Sequence, residues 1–260
     1  MKKIMSMLLV IVMLFAMTGC RKEKNNKEEK DPKVLFEQAM ENMQKLNSSD
    51  MSLDMDMMMA YGEESIEMSM QTEVIVQDIG KETMKMSMPM TMEMLGESVN
   101  MDIYYVDGYY YMDMLGMKMK TPMDLAEIQK TYESSTGMAN MNVEAMKEFS
   151  LEEKDGLYVI SFVGDNEKMM DYTKSAMASI QNAYGTDLSS FELKEIKGNV
   201  TVNKDGYITE EVIEMSMNMS MEEETIETSY VMTIAYNNPG KEATVELPDL
   251  SGYQEVALTE

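Results

Sequence analysis

The sequence predicts a mainly β domain of the α+β class: a long curved antiparallel sheet with about three helices covering its concave face. Three observations predict it. Apolar and polar residues alternate strictly over runs of ten or more residues, the period of a sheet solvated on one face. Glycine-bearing turn dipeptides separate those runs, among them Asp107-Gly108, Asp155-Gly156 and Asp205-Gly206, which tolerate the positive φ that tight hairpins require. Three other segments space their apolar residues as helices do.

The first helix starts at Asp31-Pro32, aspartate as cap and proline at the first helical position, and ends near Asn47. Leu35, Phe36, Ala39, Met40, Met43 and Leu46 form its apolar stripe. From residue 51 the period is two. Met51, Leu53, Met55, Met57, Met59 and Tyr61 share one face, with Ser52, Asp54 and Asp56 on the other. Over 66–76 the inner set is Ile66, Met68, Met70, Val74 and Val76. Over 83–94 six methionines, Met84 to Met94, alternate with polar residues, and Pro89 on the polar phase predicts an edge strand or a bulge, since proline has no N–H for a ladder. Val99, Met101, Ile103 and Tyr105 continue the series, then Tyr110, Met112 and Met114.

A second helix is expected from Thr121-Pro122-Met123-Asp124, carrying Leu125, Ile128 and Tyr132, followed by a loop at 134–140 and a helical turn over 142–149. A hairpin at 150–163 returns to strands. Asp165 caps a third helix with Met169, Tyr172, Ala176, Ile180 and Ala183 on one stripe, ending at Gly185. Strands 191–203, 207–221 and 225–236 repeat the one-sided pattern, with Ile213, Met215, Met217, Met219 and Met221 inward. The total is about ten strands, then a tail with Pro239 and Pro248.

Composition narrows the function. The chain has 260 residues, 22 basic against 47 acidic, for a formal net charge of −25, which repels nucleic acid and anionic head groups. There is no histidine, so imidazole catalysis, His–Cys zinc sites and a Ser-His-Asp triad are excluded. Asp54 and Asp56 form a carboxylate pair on the polar face without the glycine-bearing loop of a calcium site. Methionine is the anomaly at 37 residues.

The chain opens with Lys2-Lys3 and an apolar run from Ile4 to Met17, too short to span a bilayer comfortably. It leads into Met17-Thr18-Gly19-Cys20, which resembles a bacterial lipobox. The resemblance implies that residues 1–19 are a lipoprotein signal peptide and that Cys20, the only cysteine, carries a covalent diacylglyceryl group. Residues 20–30 then read as the lipidated cysteine and a charged flexible tether, and 31–260 as a single domain. With the lipidation site, the tether, the amphipathic helix, the long hairpins and the turn Val106-Asp107-Gly108-Tyr109-Tyr110-Tyr111, the chain resembles uncharacterised lipoproteins of Gram-positive bacteria. Their fold is similar to the LolA/LolB and LppX/LprG lipoprotein-carrier class. That resemblance covers most of residues 32–250 and implies a half-barrel closed by helices over an apolar cavity, with no catalytic residue.

Three helices cannot cover so long a sheet, so either it curls on itself or its apolar face keeps a cavity. Methionine, unbranched and polarizable, suits a cavity for ligands of varied shape. The expectation is a non-enzymatic, membrane-anchored extracytoplasmic protein without cofactor. It binds a lipid, acyl chain or lipoprotein against Met55, Met57, Met68, Met70, Met86, Met88, Met90, Met101, Met215, Met217 and Met219. The alternatives are Cu(I) binding through Met-x-Met runs, against which a straight strand offers only a row of sulfurs, and a structural envelope role without ligand.

Overall fold

A computed structural model describes residues 30–135, 143–170, 191–221 and 224–256. The lipobox, Cys20, the tether up to Glu29 and the third helix beyond Met170 lie outside the described residues. Residues Asp31–Glu260 form one unit.

Helix α1 spans Pro32–Gln44. The Lys33 N–H donates to the Asp31 carboxylate at 2.9 Å, so the cap read from the sequence is the observed one. Strands β1 (Ser49–Tyr61), β2 (Glu64–Gln77), β3 (Lys85–Met94), β4 (Glu97–Val106), β5 (Tyr109–Met114) and β6 (Met117–Pro122) follow as a meander. Helix α2 is Leu125–Ser135. After a 3-10 turn at Val143–Ala145 come β7 (Met146–Lys154) and β8 (Leu157–Gly164), a helical stretch at 166–170, then β9 (Phe191–Val202), β10 (Ile208–Met221), β11 (Glu224–Tyr236) and β12 (Gln254–Glu255). All twelve belong to one sheet of order β12-β6-β5-β4-β3-β2-β1-β11-β10-β9-β8-β7. Every pairing is antiparallel except β12 on β6.

Four expectations are corrected. Among the described residues the sheet has twelve strands, because the short β6 and the two-residue β12 carry too little alternation to be seen. The second helix is capped by Asp124, not Thr121: the Glu127 N–H donates to the Asp124 carboxylate at 2.9 Å and the Asp124 N–H to the Glu127 carboxylate at 3.2 Å. Thr121 and Pro122 end β6 instead. Strand β7 begins at Met146, so the helical turn does not reach Phe149, and among the described residues it is Val143–Ala145. Finally, β3 is an interior strand without a bulge. Its pairing with β2 lapses at Glu73 and Val74, opposite Pro89 and Met88, and resumes in unchanged register at Ile75–Ser87. The Thr72 hydroxyl donates to the Pro89 carbonyl at 2.9 Å, so the missing N–H is met by a local gap and not by a place at the edge.

The core lies on the apolar face, where α1 contributes Phe36, Ala39 and Met40 and α2 contributes Ile128. Val76, Ile160, Ile196, Ile213 and Ile234 meet them from five strands. The Phe36 ring stacks on Phe162 with centroids 6.0 Å apart and planes at 15°. Phe162 is paired across the ladder with Gly198, where a Cβ would come within 2.7 Å of the ring, so glycine lets the aromatic lie flat on the sheet.

Two turns are strained. Leu95 and Leu115 sit at φ +55° and +54°, a left-handed conformation costing a side chain of this size about 1 kcal/mol or more.

Candidate functional site

The apolar phase of each strand is legible from its sequence, but its neighbours are set by register. Met57 lies opposite Met68 on β2 and Tyr230 on β11, and Met68 opposite Met94 on β3. One pair further along, Met55 faces Met70 and Met232, and Met70 faces Met92. Met90 faces Met101, which faces Met114. Directly opposed residues hold their Cβ atoms roughly 4.5–5.5 Å apart, so the methionines form rows running across the strands.

Burial divides the candidates. Met86, Met215 and Met217 are core residues. Met55, Met57, Met68, Met70, Met88, Met90, Met101 and Met219 are half-buried, and of these Met55, Met88, Met101 and Met219 pack against the core. Helix α1 packs through Phe36 on Phe162 of β8, and Ile128 of α2 is buried in the same core cluster.

The opposite face carries two open grooves of about 750 and 680 Å³. Asp56, Met58, Glu67, Ser69 and Glu93 line the first, and Asp54, Gln71, Glu73, Thr91 and Asp102 the second. Met57 and Met68 edge one and Met90 the other. Asp54 and Asp56 are exposed here, and among the described residues no group of three acidic, histidine or cysteine side chains could hold a metal ion.

Sequence reasoning missed one polar site. Glu211 on β10 is 2% exposed. The Tyr236 hydroxyl on β11 donates to its carboxylate at 3.2 Å. Burial raises the carboxyl to about 7, the hydrogen bond from Tyr236 opposing the shift, and burial also raises the Tyr236 hydroxyl. Tyr132 of α2, itself raised by burial and hydrogen-bonded to Ser49, adds its field at Tyr236. The signal was available: Glu211 shares the phase of Ile213 and Met215, so it points inward.

A family model described as a family of unknown function, DUF6612, matches residues 31–250. The chain belongs to the DUF6612 family. No curated protein matches it in sequence. Solved structures to which this DUF6612 chain is similar include LprF from Mycobacterium bovis, at 11% identity and a TM-score of 0.42 over 85% of this chain and 97% of that one. A LolA superfamily protein, NE2245 from Nitrosomonas europaea, gives 10% and 0.26 over 85% and 96%. An outer membrane lipoprotein-sorting protein domain from Vibrio parahaemolyticus gives 8% and 0.25 over 82% and 95%. The carrier class resembled by the sequence is therefore represented among them. At these scores the likeness decides nothing about the site, which rests on this chain's own residues.

Proposed function

We propose that this DUF6612 protein is a non-enzymatic extracytoplasmic lipoprotein, held to the membrane by diacylglyceryl on Cys20, that binds a lipid or acyl chain against its methionine face. The observation that carries the reading is the run of half-buried methionines, Met55, Met57, Met68, Met70, Met90 and Met101, aligned across four strands, with Met55 and Met101 packed against the core. Such a surface gains about 0.8 kcal/mol for each methylene it removes from water, and thioether side chains re-pack around chains of different length.

Native mass spectrometry of residues 21–260, prepared without detergent, tests it. A discrete added mass that organic extraction removes and identifies as lipid supports the reading. A bare mass, unchanged after incubation with lipid extract, ends it and leaves a role through the protein surface. Met70→Glu places a charge in the middle of a methionine row at a position exposed enough to fold. It is expected to weaken binding of a fluorescent fatty acid by at least about tenfold, or ~1.4 kcal/mol, with an unchanged melting curve.

One observation favours a second reading, Cu(I) binding. Register sets Met55, Met70 and Met92 side by side on three adjacent strands, so the soft thioethers Cu(I) selects come together across strands as well as along one strand. Met70→Leu keeps the apolar surface and removes a sulfur. Copper binding lost in competition with a Cu(I) chelator, with acyl binding retained, favours the metal reading. No copper bound by the unsubstituted protein removes it.

A further inference from the structure

Four two-residue turns share one backbone geometry, both residues at positive φ: Asp107-Gly108, Asp155-Gly156, Leu95-Gly96 and Leu115-Gly116. Aspartate suits that geometry because its short polar side chain tolerates left-handed backbone. Leucine does not, yet Leu95 and Leu115 stand there, each 71% exposed. The aspartate turns lie at one end of the strands and the leucine turns at the other. Tyr61, Ile66, Met94 and Met117 are exposed at the leucine end too.

Successive hairpins extend four residues beyond one another, since Met114 pairs with Met101 of the longer β4 and Met94 with Met68 of the longer β2. That stagger belongs to strands inclined to the axis of a curved sheet, which sets the tips along one rim. Helix α1 points its first residue the same way. Lys33 is bonded to Glu144, which precedes the Met146–Gly164 pair at that end of β7 and β8, whereas Asn42 donates to the Gly206 carbonyl in the turn at the other end.

We propose that this rim is a membrane-docking surface, with Leu95 and Leu115 inserting into the head-group boundary of the bilayer that holds the lipidated Cys20. The proposal rests on the anchor reading above. From Cys20 to Asp31 the chain spans at most roughly 40 Å when extended, so a rim facing the exit of the tether stays within reach of the surface. Insertion removes the leucines from water, which accounts for their place in turns that favour aspartate. Glu63, Glu64 and Glu97 flank the tips, so the surface that fits is a neutral phospholipid, and anionic lipid weakens the contact.

The mature chain is reconstituted in phosphatidylcholine liposomes containing spin-labelled lipid. A thiol-reactive fluorophore is placed by Leu115→Cys or, at the opposite end, by Asp155→Cys. Docking requires strong quenching at position 115 and little at 155; equal quenching overturns it. Leu95→Asp in the chain labelled at 115 is expected to reduce insertion about tenfold while raising the melting temperature, because the turn is relieved. Insertion unchanged by Leu95→Asp overturns the proposal. If Cys20 is unlipidated, the chain labels twice and is not retained by its anchor. Flotation with added liposomes, lost on Leu95→Asp with Leu115→Asp, then upholds docking while the anchor reading fails, and no flotation ends both. Protection at 115 that depends on protein concentration without liposomes marks an interface between copies and overturns the lipid proposal.

Discussion

Replacing Phe162 with alanine is expected to destabilise the domain by about 3–5 kcal/mol, a large part of the ~5–15 kcal/mol that holds a domain folded. Phe162 is 2% exposed and lies between two elements far apart in the chain, stacked on Phe36 of α1 and flat over Gly198 of β9. Truncation removes the ring's transfer energy and leaves a cavity under α1 that a sheet cannot collapse to fill. Gly198→Ala tests the same contact from below, since a Cβ there would meet both the ring and the Val212 carbonyl at 2.7 Å. The urea midpoint should fall for both variants with little change in slope. A loss below ~1 kcal/mol for Phe162→Ala would mean that α1 does not rest on this ring.

Glu211 should make the domain less stable as pH rises from about 4.5 to about 7. Unfolded, its carboxyl titrates near 4.5, and in the fold burial moves it to about 7. Between those values the folded state keeps a proton that the unfolded chain has released, so each step up in pH favours unfolding. The full shift is worth about 3 kcal/mol, absent below the unfolded value and complete above the folded one. Glu211→Gln is neutral at every pH and keeps an acceptor for Tyr236 at 3.2 Å. The variant should therefore match the parent at pH 4 and exceed it by about 2–3 kcal/mol at pH 8 in urea titrations. Subtracting the two curves cancels the exposed carboxylates Asp78 and Glu144, whose depressed values act in the opposite direction. Parallel curves would show that Glu211 reaches solvent.

Much of the candidate site was legible because phase is local. Alternation assigned Met55, Met57, Met68 and Met70 to one phase, and the register sets Met55 opposite Met70 and Met57 opposite Met68. The Asp31-Pro32 cap was equally local, a side chain bonding to a backbone two residues away. Where a local rule failed, a neighbour from elsewhere had intervened. Pro89 reads as an edge residue until Thr72 closes on its carbonyl. Thr121 reads as a cap until β5 takes it as a strand partner through Tyr110.

By itself the sequence determined the fold class, the inward phase of the strands, the excess of acid and the exclusion of imidazole chemistry, since composition and periodicity belong to the chain before it folds. Tertiary structure alone decided that methionines on different strands line up in rows, that Glu211 is buried against Tyr236, and that two exposed leucine turns lie at one end of the strands. Each of these depends on register and cover between residues dozens of positions apart, and burial, a buried group's proton affinity and the identity of a cross-strand neighbour exist only once those distant segments have met.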